Sequence, residues 1–426
     1  MKSFPISKAV CWLFLSLISA GSMAHYVTKI WSANQPPYFN DLYASWWAAH
    51  ELLIRGRNPY SPSVAHEIQA VIYGTSVNAS SPNDPTGIGG GFAYPPYIAL
   101  LLWPTIYLSF SAAQKLFLCV SILATLASLL VWLRFRRFRW SQLTWLTTAL
   151  FTFGSFPALQ AIKLQNPSLL AAALITIALF LLSTDHFILA GSLLAVSTFK
   201  PQFAILLIPW LALWTISNWR RSRALAWSFL ATLLLLVFVG EWLVPGWISS
   251  FLHVIRAYRH YTYGHSLLDV WFGQRWGVVV AVGLVLAAFA FTWRHRKQPA
   301  DSMTFLLSTN LILALTLIVI PTLAPHAQLL LLLGFLCLLQ GRPSLSSSGA
   351  LPRLVWAATW GVLSWPWIAA FGLWLAAIRL PESALLGYWQ IPLYTSPLLP
   401  VVVTLALGCL LTIADKVGFP ESQSVG

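Results

Sequence analysis

The sequence predicts an all-α polytopic membrane protein, and three observations predict it. Hydrophobic residues make up 58% of the 426 and charged residues only 8%, against roughly 25% charged in a soluble domain. Mean hydropathy is +0.73, and so few charges cannot cover a chain of this size in water. Long apolar runs recur at 202–217, Ala224–Val244, Gly277–Thr292 and Val401–Ile413, close to the ~20 residues that cross a bilayer as helix. Finally, 23 Trp and 13 Tyr suit a protein with two interfacial aromatic belts.

In chain order, the first apolar run, about residues 9–30, follows Lys2 and Lys8. It has the outline of a signal peptide but ends at Tyr26–Trp31 without a clear small-x-small cleavage site, so an uncleaved first helix is expected. Residues 31–93 differ in character and form a long first external loop, with Asp41, Glu51, Glu67 and Asp84 in it. Leu42, Trp46, Ala49 and Leu53 share one helical face there, and this predicts an amphipathic helix lying on the membrane surface. Arg55 to Tyr60 ends that helix, and Ser63–Tyr73 predicts a second surface helix. The turn-rich stretch from Ser80 to Gly91 closes the loop.

The bundle is expected over 94–414, with further spans near 112–133, 140–156, 167–183, 187–199, 202–217, 224–243, 276–293, 302–320, 327–340, 353–378 and 395–414. The apolar stretch 94–109 is read as a surface or re-entrant helix, because a crossing there would invert everything downstream. The count is then about twelve spans in one membrane-embedded domain, 1–426, with both termini inside and a cytoplasmic tail at 415–426. Lys200-Pro201 divides the run 187–217. A proline disfavours helical geometry in its predecessor and a mid-bilayer lysine is costly, so two short spans meeting at an external Lys200 are expected.

The net charge of +14 does not point to nucleic acid, because the basic residues cluster between apolar runs. Arg134, Arg136, Arg137 and Arg139, then Arg220, Arg221 and Arg223, then Arg294, Arg296 and Lys297 read as cytoplasmic loops under the positive-inside bias. Cys11, Cys119, Cys337 and Cys409 all lie in apolar segments without paired spacing, as packing residues do. No Walker loop, HExxH or G-x-S-x-G occurs, and no ligand cluster has metal spacing.

What recurs instead is isolated polar groups on the side opposite the basic clusters. They are Asp41, Tyr94-Pro95-Pro96, Lys163 with Gln165-Asn166-Pro167, Lys200-Pro201, Arg256 and Arg259 with His260 and His265, and Pro325-His326. Asn40-Asp41-Leu42-Tyr43, Gly56-Arg57-Asn58-Pro59-Tyr60, Tyr94-Pro95-Pro96, Gln165-Asn166 and Ala190-Gly191 leading to Lys200-Pro201 occur in this order. In order and spacing this resembles glycosyltransferase family 87, over about residues 38–330. One departure is Lys-Leu-Gln-Asn, where a Gly-Gln pair is commoner in the family, and it leaves the role of Gln165 open.

The resemblance implies a GT-C-type fold and a polyprenyl-phosphate-sugar-dependent hexosyltransferase, mannosyltransferase-like, in the inner or plasma membrane with its site facing the periplasm or exterior. A lipid-phosphate sugar carries its own leaving group, so transfer to a hydroxyl needs a base for the acceptor proton and cations for the departing phosphate. The family's base, an acidic residue in the first external loop, maps onto Asp41, and inversion at the anomeric carbon follows. Taken from the residues alone, Asp41 or Asn40 can equally be a helix cap. Lys200, Arg256 and Arg259 are candidates for the phosphate, or cations that snorkel to lipid headgroups. His326, Gln165, Asn166 and Tyr94 complete the candidates for donor or acceptor binding. Asp269 is the rival acid, while Glu51 and Glu67 are placed on solvent faces. No cofactor is expected, the lipid-linked donor being a substrate; the partners are that donor, a glycolipid or glycan acceptor and membrane lipids. The rival readings are a transporter or flippase of lipid-linked sugars, against which no pair of equal halves is found, and a non-catalytic assembly subunit.

Overall fold

The computed structural model describes residues 40–74, 91–135, 152–261, 264–321, 324–381 and 391–417, with isolated positions elsewhere. Every regular element among the described residues is helical. The helices are α1 (Asp41–Arg55), α2 (Pro62–Tyr73), α3 (Ile98–Leu102), α4 (Phe110–Leu133), α5 (Phe156–Leu164), α6 (Ser168–Ser183), α7 (Phe187–Ser197), α8 (Pro201–Ala204), α9 (Leu207–Ser217), α10 (Trp219–Leu243), α11 (Trp247–Tyr261), α12 (Leu267–Trp293), α13 (Met303–Val319), α14 (Leu332–Gln340), α15 (Arg342–Ser347), α16 (Ala350–Ala377), α17 (Ile391–Thr395) and α18 (Leu398–Val417). A 3₁₀ segment, Pro325–Leu331, precedes α14.

Among the described residues, five helices are long and apolar enough to cross a membrane: α4, α10, α12, Ala350–Leu373 of α16 and Leu398–Lys416 of α18. This is a membrane protein; of the expected spans, about twelve in all, these five are long enough among the described residues to cross. The other apolar helices, α6, α7, α9, α13 and the segment Pro325–Gln340, are 10–17 residues long. At 1.5 Å per residue, 11-residue α7 and α9 each reach only about 16 Å, against a hydrocarbon core of about 30 Å. The chain does break at Lys200 as the proline predicts, with α7 before it and α8 and α9 after it. The expected span at 9–30 and most of that at 140–156 lie outside the described residues. The stretch 94–109 forms only five-residue α3 and the turn Trp103–Thr105, too short for a crossing, and α18 continues through Val417 into the expected tail.

The core is the part of the bundle that lipid cannot reach. α13 is buried along nearly its whole length, from Phe305 through Ile318, and α6 buries Leu169, Ala171, Ile175, Ala178, Leu179 and Leu182. Aliphatic side chains gain little by leaving lipid for protein, so close packing and satisfied polar groups hold these helices together. The fully buried indoles are accordingly bonded: Trp132 Nε1 donates to the Thr176 carbonyl at 2.9 Å and Trp210 Nε1 to Thr309 Oγ1 at 3.0 Å. α10 is its opposite, exposing Leu234, Leu235, Phe238 and Trp242 as a lipid-facing helix would. Where α10 meets α7, a side chain at Gly191 would collide with the Ser228 side chain and the Leu225 carbonyl. Glycine at that point lets the two backbones close, and this seats the end of α7 that leads to Lys200.

The first loop also differs from the sequence reading. α1 is amphipathic as expected, and it packs deeply into the protein: Leu42, Tyr43, Trp46, Ala48, Ala49 and Leu52 are all buried. Trp46 Nε1 donates to the Thr105 carbonyl at 3.1 Å, and the Phe110 ring meets Tyr43 and Trp46 edge-on at 5.0 and 5.2 Å. Gly56 ends α1 with a left-handed φ of 64°, a conformation that favours glycine. The chain then turns so that Arg57 reaches back to Glu51 at 2.6 Å and across to Glu67 at 2.8 Å. Glu51, expected on a solvent face, is therefore corrected to a fully buried carboxylate ringed by Arg55, Arg57 and His50. Glu67 keeps a 39% exposed side chain.

Candidate functional site

The start of α1 meets the break between α5 and α6. Asn40 precedes α1 in an extended conformation, and its Oδ1 accepts from the Tyr43 backbone N–H at 2.9 Å. It is the N-cap, which satisfies one of the free donors at the helix start. Asp41, the first helical residue, is left free of capping and turns its carboxylate toward the bundle.

Opposite it, α5 ends at Gln165, whose φ of 50° is left-handed. Such a conformation is uncommon for a residue with a Cβ. The turn sends two consecutive side chains back at α1. Asn40 Nδ2 donates to Gln165 Oε1 at 2.7 Å, and Asn166 Nδ2 donates to Asp41 Oδ2 at 2.6 Å. Asn166 Oδ1 faces the other way and accepts from the Ser168 N–H at 2.9 Å and the Ser168 hydroxyl at 2.6 Å. It also accepts from Lys200 Nζ at 2.6 Å, while that ammonium donates to Ser168 Oγ at 2.5 Å. The Lys200 ammonium further lies 5.1 Å from the centre of the Phe203 ring. One carboxamide thus joins a carboxylate from the first loop to a cation between α7 and α8.

Asn40, Gln165, Asn166, Ser168 and Lys200 are at most 5% exposed, and Asp41, half-buried as a residue, is the least covered of the six. Burial raises the Asp41 pKa above the usual carboxylate value, opposed by the Asn166 hydrogen bond and by Lys200. Burial brings Lys200 down to about 7, opposed by Asp41. Desolvation thus outweighs the mutual attraction at both groups.

The other expected residues divide. Half-buried His326 lies within electrostatic range of Lys200, and its Nδ1 is buried without a protein partner. Gln165 Nε2 is likewise buried and unpartnered. The Tyr94 carbonyl accepts from the Tyr60 hydroxyl at 2.7 Å. Nearby, the Tyr97 hydroxyl bonds Thr198 Oγ1 at 2.9 Å, two residues before Lys200. Arg256 is exposed on α11 and makes none of the described contacts with this set. The side chains of Arg259 and His260 lie outside the described residues, and His265 is exposed. Asp269 makes none of the described contacts with this set. It closes a capping box at the start of α12, accepting from the Ser266 N–H at 2.8 Å while its own N–H donates to Ser266 Oγ at 3.0 Å.

Two things escaped the sequence reading. Ser168 is a partner of Lys200; its signal is the Asn-Pro-Ser that opens α6, a setting in which Asn bonds backbone two residues on. At another point of the bundle, His295 is held between Asp415 at 2.8 Å and Ser308 at 3.1 Å, a clasp of α18 for which no local pattern gives a sign. Among the described residues no group of His, Cys, Asp and Glu is arranged to hold a metal ion.

Against known proteins, the model of glycosyltransferase family 87 matches residues 92–321. No curated protein and no solved structure matches the chain. The family match begins after Asp41 and stops short of His326, while Gln165, Asn166 and Lys200 lie inside it.

Proposed function

We propose, from the premise that this chain belongs to glycosyltransferase family 87, that it transfers a sugar, mannose in our reading, from a polyprenyl-phosphate donor to a hydroxyl of a glycolipid or glycan. Transfer takes place on the external face of the inner membrane. The observation that carries this reading is the Asp41 carboxylate, linked through one amide to the buried Lys200 ammonium.

In the reaction, the acceptor oxygen bonds to the anomeric carbon as its proton passes to Asp41. The bond from that carbon to the phosphate oxygen breaks, and its electron pair leaves with the phosphate. Asp41 supplies the base, and a positioned base contributes about 10²–10⁴ in rate. An ammonium has three N–H donors, and Lys200 spends two on Asn166 and Ser168; the third is available to a phosphate oxygen. A bound anion also offsets the desolvation that otherwise leaves this lysine only partly charged near neutral pH. With one carboxylate in the set and no second one to act as nucleophile, the stereochemical outcome is inversion. The unpartnered Gln165 Nε2 and His326 Nδ1 are the groups in place for sugar hydroxyls or phosphate oxygens. Beside the same 3₁₀ segment, an apolar cavity lined by Pro157, Gln328, Leu332, Phe335, Leu336 and Trp360 gives the isoprenoid chain a place to run.

The test is transfer of radiolabelled mannose from polyprenyl-phosphate-mannose into total lipid extract, by protein purified in lipid. Asp41→Asn keeps the shape of the side chain and removes the base, so transfer should fall by about 10² or more with donor binding retained. Transfer at the wild-type rate in Asp41→Asn would remove Asp41 from this role. Absence of any labelled product with wild-type protein and any donor of the class would defeat the reading as a whole.

A further inference from the structure

We propose that Asn166 is a positioning residue for Asp41, a one-way clamp that fixes the carboxylate and leaves Oδ1 as the atom that accepts the proton. This rests on the reading of Asp41 as the base, and it removes Asn166 from the residues expected to touch donor or acceptor. A backbone N–H and an ammonium can only donate, and both point at the same Asn166 oxygen, at 2.9 and 2.6 Å. Reversing the carboxamide would set an amide N–H against two donors, so its orientation is forced. Nδ2 must then face Asp41 Oδ2, where it stands at 2.6 Å.

Three consequences follow from that geometry. Oδ2 is engaged by a donor, so the acceptor proton goes to Oδ1. Asn166 Oδ1 already accepts three hydrogen bonds and has nothing left to offer a sugar hydroxyl. The carboxylate and the ammonium are joined by a single rigid group, so displacing either one disturbs the other. The charged and titratable groups facing the clamp are Asp41 on α1, Lys200 before α8 and His326 on the 3₁₀ segment; Lys163, on the last turn of α5, is exposed.

The test reads Asp41 directly and does not depend on sugar transfer. Dicyclohexylcarbodiimide reacts with protonated carboxyl groups in apolar surroundings, and Asp41 is the one carboxylate of the set and its least covered member. Full-length protein in lipid nanodiscs is treated between pH 5 and 9, and modification of Asp41 is counted by mass spectrometry. Asn166→Leu deletes the donor and Asn166→Asp keeps the shape but faces Asp41 with a like charge. Both should raise the pH of half-modification, by about one to two units, with Asn166→Asp the larger effect. Ser168→Ala, which leaves the amide facing Asp41, should move it far less. If Asn166→Leu does not fold, the isosteric Asn166→Asp carries the test. An unchanged midpoint in a correctly inserted Asn166 variant, or an equal shift in Ser168→Ala, would overturn the clamp. Where transfer is measured alongside, a clamp lowers kcat and leaves the donor KM in place, whereas a ligand-binding residue raises KM. Wild-type protein that fails to transfer sugar yet shows the expected shifts would sink the function and not the clamp.

Discussion

Replacing Lys200 by arginine isolates the part of the mechanism that depends on a buried cation. A lysine ordinarily keeps its proton to about pH 10.5, and here burial holds it to about 7. Transfer needs Lys200 protonated, so its contribution is complete below that value and is lost as pH rises through it. Each further pH unit lowers the charged fraction about tenfold, so kcat/KM should fall about tenfold from pH 8 to pH 9. Asp41 works in the opposite sense, since the base is active only after it loses its proton and burial raises its pKa. The acid limb therefore sits above the ordinary carboxylate range, and the optimum lies between it and the alkaline limb, on the acid side of the Lys200 value. Arginine does not deprotonate in proteins. Lys200→Arg should abolish the alkaline limb and leave the acid limb standing, even if the larger guanidinium lowers the absolute rate. The assay is the initial rate of sugar transfer in nanodiscs from pH 5.5 to 9.5 at fixed ionic strength, with donor below its KM. An alkaline limb at the same pH in both proteins, or none in the wild type, would refute the reasoning. A limb in kcat that lies higher than the limb in kcat/KM would show the bound phosphate restoring the charge on Lys200.

Two further substitutions separate architecture from chemistry. Glu51→Ala removes a fully buried carboxylate from between Arg55, Arg57 and His50, and with it the ion pairs that tie the end of α1 to the turn after it. Amide hydrogen exchange should accelerate in α1 and α2, and unchanged protection there would contradict the structural role. Asp269→Ala breaks the capping box at the head of α12, worth about 1 kcal/mol. The thermal midpoint should drop slightly with the pH–rate profile unchanged, and a profile altered in its acid limb would return Asp269 to the chemistry.

Membrane residence was legible at once, because an apolar run is a local property of sequence and its length compares directly with a bilayer. Span length was not. α7, α9 and α13 are as apolar as α4, but a buried helix in a bundle can stop short of the full thickness, and hydropathy does not report which neighbours surround it. The same blindness explains α1, where Leu42, Trp46 and Ala49 do form one apolar stripe, but a stripe that suits a membrane suits the Thr105 turn and Phe110 as well. Glu51 was misplaced because its neutralising partner, Arg57, comes after a reversal of the chain at Gly56. At the site, Asp41, Gln165, Asn166 and Lys200 could each be suspected from isolated polarity. Their pairing could not, since each bond between α1 and the α5–α6 turn joins residues 125 apart.

Those two bonds make Asn40 the residue that sets the register of Asp41, and this can be tested separately from the base itself. Successive helical residues turn by about 100°, so a slip of one position at the start of α1 would put a different side chain opposite Asn166. Asn40 prevents the slip from both ends, capping α1 through Oδ1 while its Nδ2 holds Gln165. Asn40→Asp keeps the cap, because Asp and Asn serve about equally there. It loses the donor to Gln165 Oε1, but Gln165 has a second amide face to offer, since its Nε2 is buried without a partner. Reversal of that carboxamide restores one hydrogen bond, so the variant should fold and insert normally. What changes is the charge beside the site: a second carboxylate one residue from Asp41 disfavours ionisation of both. The acid limb of the pH–rate profile should move upward while the alkaline limb set by Lys200 stays or rises with it. Asn40→Ser, a cap without charge, should leave the acid limb where it was. An Asn40→Asp profile that overlays the wild type would mean that Asp41 is not the group titrating on the acid side.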